Sequence, residues 1–481
     1  MKRFVSIAIC LIMLMSACGT PAPEDNIETA SVPSRIEEET VVETETKEIP
    51  PLPEGLDFSG SSFTFGIIET PNAHCDVVVE ELTGEVLNDS LYNTMDQTSA
   101  YLNTTIKQEI IPDGYPGTTT IRALATAGDD TLQVSNLFCA AIPTLMTDGY
   151  VRDYNDIPYI NLDNSWWDHN ANESLVLGNM RYSALGDLSI STHDLTFVLL
   201  FSKEMVAQNQ LDSPYQLVRD KQWTMDTMRT MMETVTRDAN GDGAFTTEDI
   251  YGYLGIHKHL LPGFWIGAGE KTIELNEEHI PEVTMKGERF YDVILHAFEI
   301  TVDNNVSHLA PNTADVPQEN INMFQEGKGL FLDCSMMFIS ALREMQTDFG
   351  IIPYPMYNET QDDYHVRICY FIPPIVLVTN QNLELTGAVI ELANYYAHQD
   401  LTPAYYDIML KGKYSRDEES VDMLDLIFSH RMLDLGDTVF CEQVRDGFMR
   451  KMVVDDRRDI ASQVERNYKV VETTLKNMLG K

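Results

Sequence analysis

Ser62-Phe63-Thr64-Phe65-Gly66-Ile67-Ile68 is the stretch from which the fold is read. Its apolar run describes a buried strand. From Glu85 to Asn103, Val86, Leu87, Ser90, Leu91, Met95, Ser99 and Leu102 recur near helical spacing, which predicts a helix. A strand over Thr104 to Ile111, a helix over Thr118 to Ala127, a strand over Leu132 to Phe138 and a helix from Ile142 to Met146 continue the alternation. Strands that alternate with helices need crossover connections, and those produce a mostly parallel sheet.

Downstream, Leu195 to Phe201 is a longer apolar strand, placed where the chain would cross to a second lobe. Helical periodicity follows over Thr224 to Thr236, Gly287 to Val302 and Val316 to Gly327. Gly329 to Asp333 and Gly350 to Pro353 read as strands. Phe371 to Thr379 is long and apolar and would carry the chain back; Leu383 to His398 and about three further segments read as helices. No internal repeat is visible. A chain of 481 residues exceeds one ordinary domain and suits two cores. The expected division is a first lobe of 58–194 plus 375–400 and a second of 195–374 plus 401–481.

Ahead of this body, Lys2 and Arg3 form a basic start, and Phe4 to Met15 an apolar run too short to cross a bilayer permanently. Met15-Ser16-Ala17-Cys18-Gly19 places small residues before a cysteine, and the whole resembles a bacterial lipoprotein signal, 1–18. The resemblance implies a diacylglycerol on the Cys18 thiol, a further acyl chain such as palmitate on the new amino terminus, and a position on the outer face of the cell membrane. Residues 19–57 carry six prolines and a run of glutamates among threonines and valines. Such a segment buries no core and is expected to be an extended, disordered tether.

The formal net charge of -42 excludes nucleic acid and anionic membrane as the main partner, because phosphate repels such a surface. Of seven cysteines, Cys10 and Cys18 fall in the leader, leaving Cys75, Cys139, Cys334, Cys369 and Cys441. No pair has CxxC spacing, so neither a zinc site nor a redox motif is indicated, and the five read as mostly buried free thiols.

Several stretches, in order, resemble the carbohydrate-type members of the family 1 extracellular solute-binding proteins, the group that includes maltose-binding protein. They are Gly84-Glu85-Val86-Leu87-Asn88-Asp89, Leu162-Asp163-Asn164-Ser165-Trp166-Trp167, Lys221-Gln222-Trp223-Thr224, Phe324-Gln325-Glu326-Gly327-Lys328-Gly329-Leu330-Phe331 and Phe349-Gly350-Ile351-Ile352-Pro353-Tyr354-Pro355. The resemblance runs from about Phe63 to about Gly436. It implies an α/β, two-lobe periplasmic-binding-protein-like fold of type II, with a helical C-terminal region. It also implies capture of a sugar or similar small solute in the cleft for an ABC-type importer and its permease subunits. The motifs have local readings as well. Thr224 before Asp226 looks like a helix N-cap, and Phe324 to Phe331 like a helix end, a glycine turn and a buried strand.

Asp238-Ala239-Asn240-Gly241-Asp242-Gly243-Ala244-Phe245-Thr246-Thr247-Glu248-Asp249 matches the calcium-loop template. Asp238, Asn240 and Asp242 would supply side-chain oxygens, Ala244 a carbonyl, Thr246 a water-mediated contact and Asp249 the closing carboxylate. Asp249 stands where the EF-hand has Glu, one methylene longer. The expected ion is a structural Ca2+, held weakly, with a Kd of roughly 10⁻⁴–10⁻³ M. A metal-free acidic turn is the alternative.

Sugars are bound by aromatic faces and by carboxylates and amides. Trp265, in Gly263-Phe264-Trp265-Ile266-Gly267-Ala268-Gly269, is the expected stacking platform, with a core tryptophan as the alternative. Trp166-Trp167 reads as packing. Glu69, Thr70 and Asn72 follow the first strand, where open α/β sheets place ligands. Asp194 precedes the crossover strand and could line the hinge; Asp333, Cys334 and Ser335 come near the ligand by resemblance alone. No HExxH, GxSxG, P-loop or GxGxxG is present, and His257-Lys258-His259 lacks a third ligand. The chain therefore reads as a binder and not an enzyme. A sensory or adhesion module of the same fold, or a glycoside-acting enzyme, stays open.

Overall fold

The computed structural model describes residues 52–310, 317–339, 342, 348–411 and 418–478. The leader, Cys18 and most of the tether lie outside them. Nine of the described strands build two main sheets: β1 (Ser61–Ile67), β2 (Thr104–Ile110), β3 (Val134–Asn136), β4 (Phe197–Ser202), β5 (Tyr251–Ile256), β6 (Ser307–Ala310), β7 (Gly329–Ser335), β8 (Phe349–Ile352) and β9 (Pro374–Ile375). The first sheet has the order β9-β3-β1-β2, the second β6-β5-β7-β4-β8. This is the expected α/β architecture, with helices flanking both sheets and a helical C-terminal region.

The first sheet is parallel except at β9, which runs antiparallel to β3. Phe63, Phe65 and Ile67 of β1 are fully buried against Met95 and Leu102 of the following helix, α1 (Val86–Leu102). Glu85 caps α1 by accepting from the Asn88 amide at 2.8 Å, and the helix ends at Asn103 in the left-handed region. In the second sheet β5, β6 and β7 are parallel, but β4 runs antiparallel to both its neighbours. That sheet is more mixed than βα alternation predicts, because β4 is the crossing strand and enters from the opposite direction.

The segment Phe371 to Thr379 returns to the first sheet as expected, yet only Pro374–Ile375 pairs as a strand. Pro373 and Pro374 have no N–H to donate, so the ladder is broken up. Single bonds replace it: Leu137 N–H to the Pro373 carbonyl, Cys139 N–H to Phe371 and Arg152 N–H to Val376. The two crossings lie side by side. Cys369 N–H donates to the Leu195 carbonyl at 3.0 Å, and Thr196 bridges Ile368.

The motif stretches are structural. Thr224 caps the helix Met225–Val235, and Gly327, with φ of 72°, turns the chain into the buried strand β7. Trp166 and Trp167 donate their indole N–H groups to the two oxygens of buried Glu391, each at 3.2 Å, so the pair is packing as expected. The Arg367 guanidinium grips buried Asp437 with two bonds of 2.6 and 2.9 Å, and Arg445 reaches the same carboxylate at 3.2 Å. The Arg367–Asp437 pair, with a bond from Arg445 to the Cys369 carbonyl at 3.2 Å, fastens the C-terminal segment to the crossing.

Candidate functional site

A cavity of about 330 Å³ opens where the crossing meets the first sheet. One wall comes from the loop after β1, with His74, Asp76 and Val79, and from the first turns of α1, with Leu87 and Leu91. Met336 and Met337, which follow β7, also line it. Ile190 and Asp194 line it from the short helix α2 (Ile190–Asp194) that feeds β4. Tyr405 and Ile408 close the side from the helix α3 (Thr402–Lys411).

Asp194 is the centre of this arrangement. Its carboxylate is 1% exposed and accepts three bonds: the His74 amide at 2.6 Å, His74 Nδ1 at 2.8 Å and Tyr405 Oη at 3.0 Å. One acid thereby ties the first sheet's loop, the crossing and α3 together. The bond to Asp194 holds the half-exposed His74 imidazole above its ordinary range. The neighbouring Cys75 thiol is pushed up to about 12 by burial. The aliphatic lining gives shape, and His74, Asp76, Glu85, Asn88 and Asp194 supply groups for polar substituents.

Sequence reading finds Asp194 and the loop after β1, but the loop only in part. Glu69 is exposed at the strand exit, and Asn72 bonds back to Thr70 Oγ1; His74 and Asp76, further along the same loop, line the cavity instead. Met336 and Met337 escape it, since a methionine pair after a strand has no polar signature.

Trp265 is not a stacking platform. It is fully buried in a helix, Leu260–Gly267, and its indole N–H donates to Asp434 Oδ2 at 2.8 Å. Asp333 does not line the cavity either. It is 4% exposed on β7, where burial raises its carboxyl to about 6 although the Tyr354 and Tyr253 hydroxyls bond to it. All four tryptophans are core residues: Trp166, Trp167, Trp223 and Trp265 are 3% exposed or less.

The 238–249 loop folds as a tight double turn. Gly241 and Gly243 take positive φ, and the Asp238 carboxylate accepts from both their amides at 2.6 and 2.7 Å. Asn240 and Asp242 bond to the amides two residues on. Asp249, however, is turned onto the Ala239 and Thr246 amides, at 2.9 and 2.7 Å. Those bonds hold its carboxyl below the usual range. Among the described residues no three His, Cys, Asp or Glu side chains converge as metal ligands.

No family model and no curated protein sequence matches the chain. Solved structures do match it. The cyclic α-maltosyl-1,6-maltose-binding protein of Arthrobacter globiformis superposes with a TM-score of 0.58 at 13% identity, over 87% of this chain and 100% of that one. A cyclo/maltodextrin-binding protein complexed with maltotetraose gives 0.58 at 10%, over 87% and 98%. The galacto-N-biose-/lacto-N-biose I-binding protein of an ABC transporter from Bifidobacterium longum gives 0.56 at 10%, over 88% and 98%. At such identities the likeness is one of fold, and it covers nearly the whole length of those binding proteins.

Proposed function

We propose that this chain, whose fold is the two-lobed one of solute-binding proteins, captures a carbohydrate and delivers it to the membrane subunits of an ABC-type importer. The observation that carries the reading is the cavity at the crossing, walled by the loop after β1, by the residues after β7 and by α3, with Asp194 bonded to the first and last of these. A ligand seated there touches both sheets' loops at once. Neighbours of the same fold that bind maltotetraose and lacto-N-biose support a saccharide as the class. Fold alone does not fix a ligand, so the polar groups around the cavity matter more.

We read the protein as a binder and not a catalyst. Two further elements belong to this proposal. Cys18 carries the lipid that tethers the body to the outer membrane face, with 19–57 as its spacer. The 238–249 loop takes up Ca2+ as a structural staple, for which Asp249 must release the two amides it now holds.

A thermal-shift screen of the protein against mono- and oligosaccharides tests the central reading. A ligand present at a hundred times its Kd stabilises the folded state by about 2.7 kcal/mol. At least one saccharide is expected to raise the melting temperature accordingly; a panel without a single shift would refute carbohydrate capture.

A further inference from the structure

The cavity beside Asp194 suits something less polar than a bare sugar. Most of the described side chains that line it are aliphatic. Four of them, Leu91, Ile190, Met336 and Leu401, are at most 7% exposed and belong to one apolar cluster. The charged lining residues His74, Asp76 and Glu85 are exposed instead. The lining therefore divides into a buried aliphatic part and a solvent-facing polar part.

The polar groups are engaged already. Asp194 is taken up by His74 and Tyr405, Asp76 accepts from Gln108 Nε2 at 2.7 Å, and Glu85 caps α1. A sugar carries hydroxyls round its whole edge, and one pressed against aliphatic surface gives up its bonds to water without replacement. An alkyl group has the opposite preference. The space, about 330 Å³, is ample for one: an engineered apolar cavity of about 150 Å³ takes up benzene. Two large apolar side chains left exposed, Leu82 at 56% and Val86 at 50%, stand beside Glu85 in the sequence and carry apolar surface outward from it.

We propose that the ligand is a saccharide bearing an aliphatic substituent, an alkyl glycoside in its simplest form, and that the cavity holds the substituent while the exposed polar groups meet the sugar. This rests on the reading of the chain as a carbohydrate binder. It narrows that reading to a class of amphipathic sugars.

The test is isothermal titration with methyl, butyl and hexyl glucosides and maltosides, with maltotetraose and 1-hexanol as controls. Each methylene buried in an apolar site is worth roughly threefold to fourfold in affinity. From methyl to butyl the binding glycoside is therefore expected to tighten by about tenfold or more, and hexyl to bind tighter still. Leu87→Glu sets a charge on the aliphatic lining and should remove most of that gain; Ile408→Gln serves in its place if ligand-free melting shows that Leu87→Glu does not fold. A rise of less than about threefold from methyl to butyl would overturn the proposal and leave carbohydrate capture standing. A full gain kept in the folded variant would overturn it by placing the alkyl chain elsewhere. 1-Hexanol bound as tightly as the hexyl glycosides would overturn it by removing the sugar from the ligand. A wild type that binds no saccharide, substituted or bare, would count first against carbohydrate capture, and the proposal would fall with it.

Discussion

At the scale of single residues, Trp265 shows why a site is harder to read than a fold. Its flanking glycines suggest a loop that displays an aromatic, yet they serve packing. A Cβ on Gly263 would sit 2.2 Å from the ring of Tyr354, so the glycine lets the helix Leu260–Gly267 lie against that tyrosine. Asp434, the partner of Trp265, is 169 residues away in sequence, and nothing local announces the bond. Trp265→Ala is therefore expected to cost roughly 3–5 kcal/mol of stability in a denaturant melt, with ligand affinity unchanged. A loss of affinity without loss of stability would restore the stacking role. Asp333 offers a second check. Its buried carboxyl keeps a proton up to about pH 6, whereas the unfolded chain releases it near an ordinary 3.8. The folded state holds more protons in that window, so stability falls as pH rises through it, by about 3 kcal/mol from this group. Asp434, raised to about 6 by burial, acts in the same direction. In Asp333→Asn the decline between about pH 4 and pH 7 should be shallower by the Asp333 share. An identical slope in the variant would show that Asp333 titrates normally.

At the scale of elements, periodicity is a good guide wherever one face of a helix or strand is buried. The helix expected over Glu85 to Asn103 is Val86–Leu102, and that expected over Thr224 to Thr236 is Met225–Val235. At Phe371 to Thr379, where prolines remove ladder donors, an apolar run does not become a long strand. The cavity is half legible. Asp194 could be placed at the crossing because the strand after it is recognisable, while His74, Met336 and Tyr405 meet it only through the fold. The 238–249 loop is an element whose spacing alone suggests its ion. Millimolar calcium is expected to raise the melting temperature, a chelator to reverse the effect, and Asp242→Ala to abolish it. A melting curve indifferent to calcium would leave the loop a metal-free turn, as its self-satisfied amides permit.

At the scale of the whole molecule, two sheets are joined by two adjacent crossings, Leu195–Thr196 and Ile368–Cys369, bonded to one another. On the proposed reading the two crossings act as one hinge, and a ligand touching loops from both sheets would favour the arrangement that brings those loops closest. The ligand can shift that equilibrium only by the contacts it makes in one state and not the other. Small-angle scattering of the protein with and without a saturating concentration of its saccharide tests this most directly. A smaller radius of gyration is expected with ligand bound; an unchanged radius at saturation would contradict capture by closure of the two lobes.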